Sequence, residues 1–143
     1  MTIELSKIKA LNAHLRFKVS DVEQSIEFYK KMFGVEPVEV KTACAKFRVP
    51  NPPLNFTLNQ VSPGNIVLAH LGIQLASTQE LTAMRDRWIE RGLVIYDEMN
   101  GDYNLAFQNK IGIHDPDGNG WQFFTIPENG FVETSIYNVF GKN

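Results

Sequence analysis

Two histidines stand at matching places in the two halves of this 143-residue chain, and imidazole is well suited to ligate a divalent metal or move a proton near neutral pH. His14 opens the run His14-Leu15-Arg16-Phe17-Lys18-Val19, and His70 opens His70-Leu71-Gly72-Ile73-Gln74-Leu75. Each run alternates polar and apolar residues, which predicts a strand with one apolar face and puts both histidines on the polar one. If each half folds into a quarter of a cylinder, the imidazoles face one another across a shared cleft, where they suit Zn, Fe, Mn or Ni. Further wall residues come from the last strand of each half. Gln122 shares parity with Phe124 and Ile126, opposite Trp121 and Phe123, and its counterpart Asn55 lies in line with Thr57 and Asn59. A strand histidine can equally be a hydrogen-bonded structural residue, and a polar face needs no metal, so the residues alone leave both roles open.

The elements that must position these side chains repeat. After the first strand, over residues 11–19, Ser20-Asp21-Val22-Glu23 reads as a capping box; Val22, Ile26, Tyr29 and Phe33 then recur at helical spacing until Gly34. Three short strands follow at 38–42, 45–49 and 54–59, broken by Asn51-Pro52-Pro53 and closed by Ser62-Pro63-Gly64-Asn65. The order βαβββ then begins again. Ser77-Thr78-Gln79-Glu80 caps a second helix carrying Leu81, Met84 and Trp88 and ending at Gly92. Strands at 93–98, 105–113 and 121–126 complete it, the last two joined by the turn Asp115-Pro116-Asp117-Gly118-Asn119-Gly120. The predicted fold is α+β: two tandem βαβββ modules, residues 11–60 and 66–126, forming a curved mixed sheet around a cleft within one domain. The tail, residues 127–143, carries Phe131, Ile136, Tyr137, Val139 and Phe140 and is apolar enough to dock on this subunit or a neighbour.

Composition narrows the partners. Hydrophobic residues make up 43% of the chain and charged ones 21%, enough for one globular domain with a real core. The net charge of −2 is spread along the chain without a Lys/Arg cluster of the kind that phosphate backbones or anionic lipids require, which argues against nucleic acid and membranes. A single cysteine, Cys44, rules out an internal disulfide framework, and the first residues lack the apolar run of a leader or span, so a reducing cytoplasm is expected. Cys44 itself reads as a small buried hydrophobe. His114 is expected at a strand end near solvent, with Asp115 and Asp117 capping the turn that follows. Phe28, Tyr29 and Trp88 fall at core spacing on helices, whereas Tyr103, Phe107 and Trp121 could line the cleft or fill it.

These residues resemble the vicinal oxygen chelate superfamily, which includes glyoxalases, bleomycin-resistance proteins and extradiol dioxygenases, over almost all of residues 11–126. The runs Phe28-Tyr29-Lys30-Lys31-Met32-Phe33-Gly34-Val35-Glu36-Pro37, Ala45-Lys46-Phe47 and Pro52-Pro53-Leu54-Asn55-Phe56-Thr57-Leu58-Asn59 are similar to its cadmium-induced and organoarsenical carbon–arsenic lyase branch. His70-Leu71-Gly72-Ile73-Gln74 and Asp115-Pro116-Asp117-Gly118-Asn119 extend the likeness. The resemblance implies a divalent metal held by His14, His70 and the residue at 122, where the family's glutamate is replaced by Gln122. A glutamine carbonyl can coordinate such a cation, with one negative charge fewer and no base at that position. The branch's vicinal cysteine pair, which captures trivalent arsenic, falls on Tyr103 and Asn104, so the resemblance implies chemistry other than organoarsenical cleavage.

Two functions follow as expectations. The first is a metal-dependent enzyme acting on a small molecule by lyase, isomerase or detoxification chemistry, with His14, His70 and Gln122 as ligands and Asn55, Thr57, Tyr103 and Asn104 lining the substrate cleft. The second is a non-catalytic protein of the bleomycin-resistance type that binds a small molecule or metal. Glyoxalase activity proper and ring-cleaving dioxygenase activity are disfavoured by the missing carboxylate at 122. A homodimer is expected from the family and the apolar tail.

Overall fold

The computed structural model describes residues 2–97 and 109–126. The chain divides into two compact units, Met1–Val67 and Leu68–Asn143, each with its own sheet and helix. Among the described residues no helix is long and apolar enough to cross a membrane.

In unit one, β1 (Ala13–Val19) leads into α1 (Val22–Phe33), then β2 (Glu39–Lys41), β3 (Cys44–Val49) and β4 (Leu54–Gln60). The sheet order is β1-β4-β3-β2, with β1 parallel to β4 and the other pairs antiparallel. Asp21 rather than Ser20 caps α1: its backbone is extended and its carboxylate accepts the Gln24 amide at 3.1 Å. Gly34 ends the helix at φ 70°, a left-handed conformation that glycine adopts without a Cβ penalty. The Val22 amide donates to Oε1 of Gln60 at 2.8 Å, tying the start of the helix to the end of β4. A 3-10 turn over Leu5–Lys7, not anticipated from the sequence, precedes the sheet.

The helix covers the apolar face. Phe17, Val19, Ile26, Tyr29, Met32, Phe47, Leu54, Phe56 and Leu58 are buried there. The rings of Phe47 and Phe56 stack at 4.9 Å, and Tyr29 meets Phe56 edge-on at the same separation. The other face of the sheet therefore carries His14, Arg16 and Lys18, as strand alternation requires.

Unit two repeats the plan: β5 (His70–Gln74), α2 (Thr78–Glu90), β6 (Ile95–Asp97), β7 (Asn109–His114) and β8 (Gly120–Thr125), in the order β5-β8-β7-β6 with β5 parallel to β8. Ser77 caps α2 as expected, and Glu80 reaches back to its hydroxyl rather than to its backbone amide. The Glu80 amide donates to the serine hydroxyl at 3.2 Å, and that hydroxyl donates to the Glu80 carboxylate at 2.8 Å. β6 is shorter than the expected 93–98, and the first part of the strand expected over 105–113 lies outside the described residues. Leu81, Trp88, Ile111, Ile113, Trp121 and Phe123 form the core, with Trp88 edge-on to Phe123 at 5.4 Å. Trp121 thus fills the core under α2. Tyr103 and Phe107 lie outside the described residues, as does the tail from 127 to 143.

Candidate functional site

Pairing in unit two brings together side chains far apart in sequence. His70 pairs with Gly120 across β5 and β8, and Gly120 pairs with His114 across β8 and β7, so two exposed histidines flank one glycine in a single row. A Cβ on residue 120 would lie 3.0 Å from Nδ1 of His70 and 3.6 Å from Nε2 of His114. Both imidazoles therefore reach towards the space over Gly120. In the next row of the same face, Gln122 stands between Gly72 and Gly112. The Oε1 of Gln122 is buried and has no hydrogen-bond partner among the described residues. Such an oxygen costs about 1–3 kcal/mol unless something satisfies it, and a coordinated cation would.

The turn before β8 holds this row in place. Oδ1 of Asp115 accepts the amides of Asp117 at 2.9 Å and Asn119 at 2.8 Å, and Oδ2 accepts Nδ2 of Asn119 at 2.7 Å. Asn119 in turn accepts the Ala69 amide on Oδ1 at 2.7 Å, and the Gly120 amide donates to the Ala69 carbonyl at 2.9 Å. The residue before His70 is thereby fastened to the residue before Gly120. Asp115 and Asn119 are buried, 4% and 0% exposed, so these bonds are shielded from competing water. Gly118, at φ 104°, supplies the left-handed step that the turn needs.

In unit one the first row is His14, Asn55 and Arg48 across β1, β4 and β3, and the second is Arg16, Thr57 and Lys46. Counted from the first-strand histidines, Thr57 occupies the register of Gln122, and Asn55 that of Gly120. The expected equivalence of Asn55 with Gln122 is therefore two residues out of register, because sequence similarity between last strands does not encode their pairing. Nδ2 of Asn55 donates to Asn12 at 3.3 Å, while its Oδ1 is buried without a partner among the described residues. Thr57 is 2% exposed. A cavity of about 150 Å³ is lined by His14, Val38, Lys46, Arg48, Asn55 and Thr57.

Charge on this face is organised around Glu39, whose carboxylate reaches Lys41 at 3.2 Å and Lys46 at 3.4 Å. The Lys41 hydrogen bond and charge, followed by those of Lys46, hold the Glu39 carboxyl below the ordinary carboxylate range. Cys44 ends this sheet half-buried, less enclosed than a core thiol, beside Asn59 in register.

Among the described residues no three His, Cys, Asp or Glu side chains cluster tightly enough to hold a metal by themselves. A cation in unit two would draw on His70 and an amide oxygen, with His114 close by, and neutral ligands of that kind fit a borderline divalent ion. The sequence passed over His114 because its proximity to His70 arises from β7–β8 pairing. Gly120, on the polar parity of β8, was the available signal. Tyr103 and Asn104 lie outside the described residues.

Comparison with known proteins bears on the same residues. A family model described as the Glyoxalase/Bleomycin resistance protein/Dioxygenase superfamily matches residues 12–123. The chain is 50% identical over 125 residues to the trivalent organoarsenical cleaving enzyme of Bacillus sp. (strain MD1), covering 82% of this chain and 76% of that protein. It is 32% identical over 112 residues to the cadmium-induced protein CadI of Mycobacterium tuberculosis, covering 78% and 74%. Among solved structures, a glyoxalase/bleomycin resistance protein/dioxygenase from Nocardioides superposes with a TM-score of 0.65 at 20% identity, covering 90% of this chain and 89% of that one. With the βαβββ plan built twice and a match running from β1 into β8, the chain belongs to the Glyoxalase/Bleomycin resistance protein/Dioxygenase superfamily.

Proposed function

We propose that the protein is a metal-dependent enzyme of small-molecule detoxification, with His14, His70 and Gln122 as ligands of a divalent metal. The observation that carries this reading is the buried Oε1 of Gln122, without a partner among the described residues, on the same face as the exposed His70 imidazole. A bound divalent ion would polarise a substrate oxygen. Gly72 and Gly112 leave the strands on either side of Gln122 without side chains. The relatives named for trivalent organoarsenical cleavage and cadmium induction support a detoxification role, while Tyr103 and Asn104 at the expected thiol positions direct it away from carbon–arsenic cleavage. Asn55 and Thr57 would serve as substrate-facing groups of unit one, together with Tyr103 and Asn104.

The amide at 122 also favours a second reading, a binding protein without turnover, because a glutamine cannot serve as the base. In either reading the protein works in the cytoplasm as a homodimer, as its one cysteine and apolar tail suggest. Metal analysis of tag-free protein purified without chelator tests the proposal alongside His14→Ala and His70→Ala. Stoichiometric Zn, Fe, Mn or Ni that is lost in both variants is expected. Wild-type protein that neither carries nor takes up metal would overturn it in favour of the binding reading.

A further inference from the structure

The polar face of unit one is far more basic than the acidic chain as a whole. Strand alternation and register place Arg16 and Lys18 of β1, Lys46 and Arg48 of β3 and Lys41 of β2 on the face that α1 leaves open. The carboxylate of Glu39 is the acidic group that register places among them, and it is engaged by Lys41 and Lys46. Arg16, Lys18 and Arg48 make no ion pair among the described residues. Gathering like charges on one sheet face raises the energy of the free protein, and a ligand of opposite sign offsets that cost.

The spacing is that of a receptor for an anion. On the central strand β4, Asn55 and Thr57 separate the cations, so the rows run His14, Asn55, Arg48 and Arg16, Thr57, Lys46. An oxyanion over β4 would meet neutral hydrogen-bonding groups beneath it and positive groups on both sides. Arg48 could offer it a two-pronged guanidinium. The cavity of about 150 Å³ between His14, Lys46, Arg48, Asn55 and Thr57 lies over these rows, with Val38, Phe47 and Phe56 as its apolar lining. A cavity of about that volume accommodates a molecule the size of benzene.

We propose that this cavity is a binding site for a small oxyanion, a phosphate or a phosphonate, with Arg48 as its principal cation. Its described lining comes from unit one and shares His14, Asn55 and Thr57 with the groups named under the proposed function, on which it rests to that extent, while its cations Lys46 and Arg48 belong to neither the metal nor the substrate groups named there.

Isothermal titration with inorganic phosphate and with phenylphosphonate, in low salt and both without and with EDTA, tests it. Both probes are expected to bind, more weakly as salt rises, and Arg48→Gln is expected to lose at least about tenfold in affinity. Arg48→Lys should recover part of that loss by keeping the charge without the fork. Glu39→Gln should bind a few-fold more tightly, because the competing carboxylate is gone. Phenylphosphonate binding more tightly than phosphate would identify a carried oxyanion group as the occupant, and equal affinities would identify the free ion. Binding that is unchanged in Arg48→Gln, that disappears on chelation, or that is matched by neutral benzamide would overturn the proposal. Loss of binding on chelation would point instead to the metal, so the two proposals fail separately.

Discussion

Replacing Asp115 by alanine removes one carboxylate that accepts three hydrogen bonds, at 2.9, 2.8 and 2.7 Å, inside a turn where it is 4% exposed. Hydrogen bonds to a charged group each contribute about 1.5–3 kcal/mol net, and the three are not additive because water can enter the vacated turn. A loss of about 3–5 kcal/mol is therefore expected, a large share of the roughly 5–15 kcal/mol that holds a domain folded. For a chain of this length each kcal/mol moves the midpoint by about 2–4 °C, so Tm should fall by about 10–15 °C. Urea unfolding at neutral pH, with the slope compared between variant and wild type, gives the free energy directly. Asp115→Asn, which keeps one carbonyl oxygen, should lose less. As a control, Asp86→Ala removes a carboxylate that is 59% exposed and 3.5 Å from Arg85, and should cost less than about 0.5 kcal/mol. A loss below about 1 kcal/mol for Asp115→Ala would refute the reasoning, since it would mean that the turn does not fasten β5 to β8.

Two further outcomes follow from the same geometry. Gly120→Ala places a Cβ 3.0 Å from Nδ1 of His70 and should rotate that exposed ring with little loss of stability, while metal affinity measured by competition with a chromophoric chelator falls about 10–100-fold; unchanged affinity would remove His70 from the site. Because the Glu39 carboxyl is held below the ordinary range, its favourable contribution is present at neutral pH and is lost as the pH falls through the lowered value. Glu39→Gln should therefore flatten the acid limb of stability against pH in low salt and change nothing in high salt, and a difference that survives high salt would contradict an exposed pair.

Much of the architecture was legible because local signals and tertiary requirements agree. Ser77 caps the second helix as its place before Thr78 predicts, Gly34 takes the left-handed cap, and period-two alternation from His14 to Val19 separates a buried face from an exposed one. Pairing between strands was not legible, because it is decided by contacts between residues distant along the chain. That is why Asn55 was matched to Gln122 although Thr57 holds the equivalent register, and why His114 looked like an isolated strand end although Gly120 alone separates it from His70. Arg48 was one of many scattered charges in the sequence, and became part of a basic surface only when β3 was laid against β4.

Each unit keeps most of its core on the helix side of its sheet and its distinctive side chains on the other. Substitutions on the open face touch few core residues, so their effects on folding are small and nearly independent of one another. After a duplication, the two copies could then diverge in what they display while retaining the backbone plan that both need. The outcome is visible in the paired rows: beside the first-strand histidine common to both, arginine, lysine, threonine and asparagine stand in one copy, and glycine, a second histidine and glutamine at the corresponding positions of the other. One frame thus displays two sets of side chains, joined by the histidine near the start of the first strand of each copy.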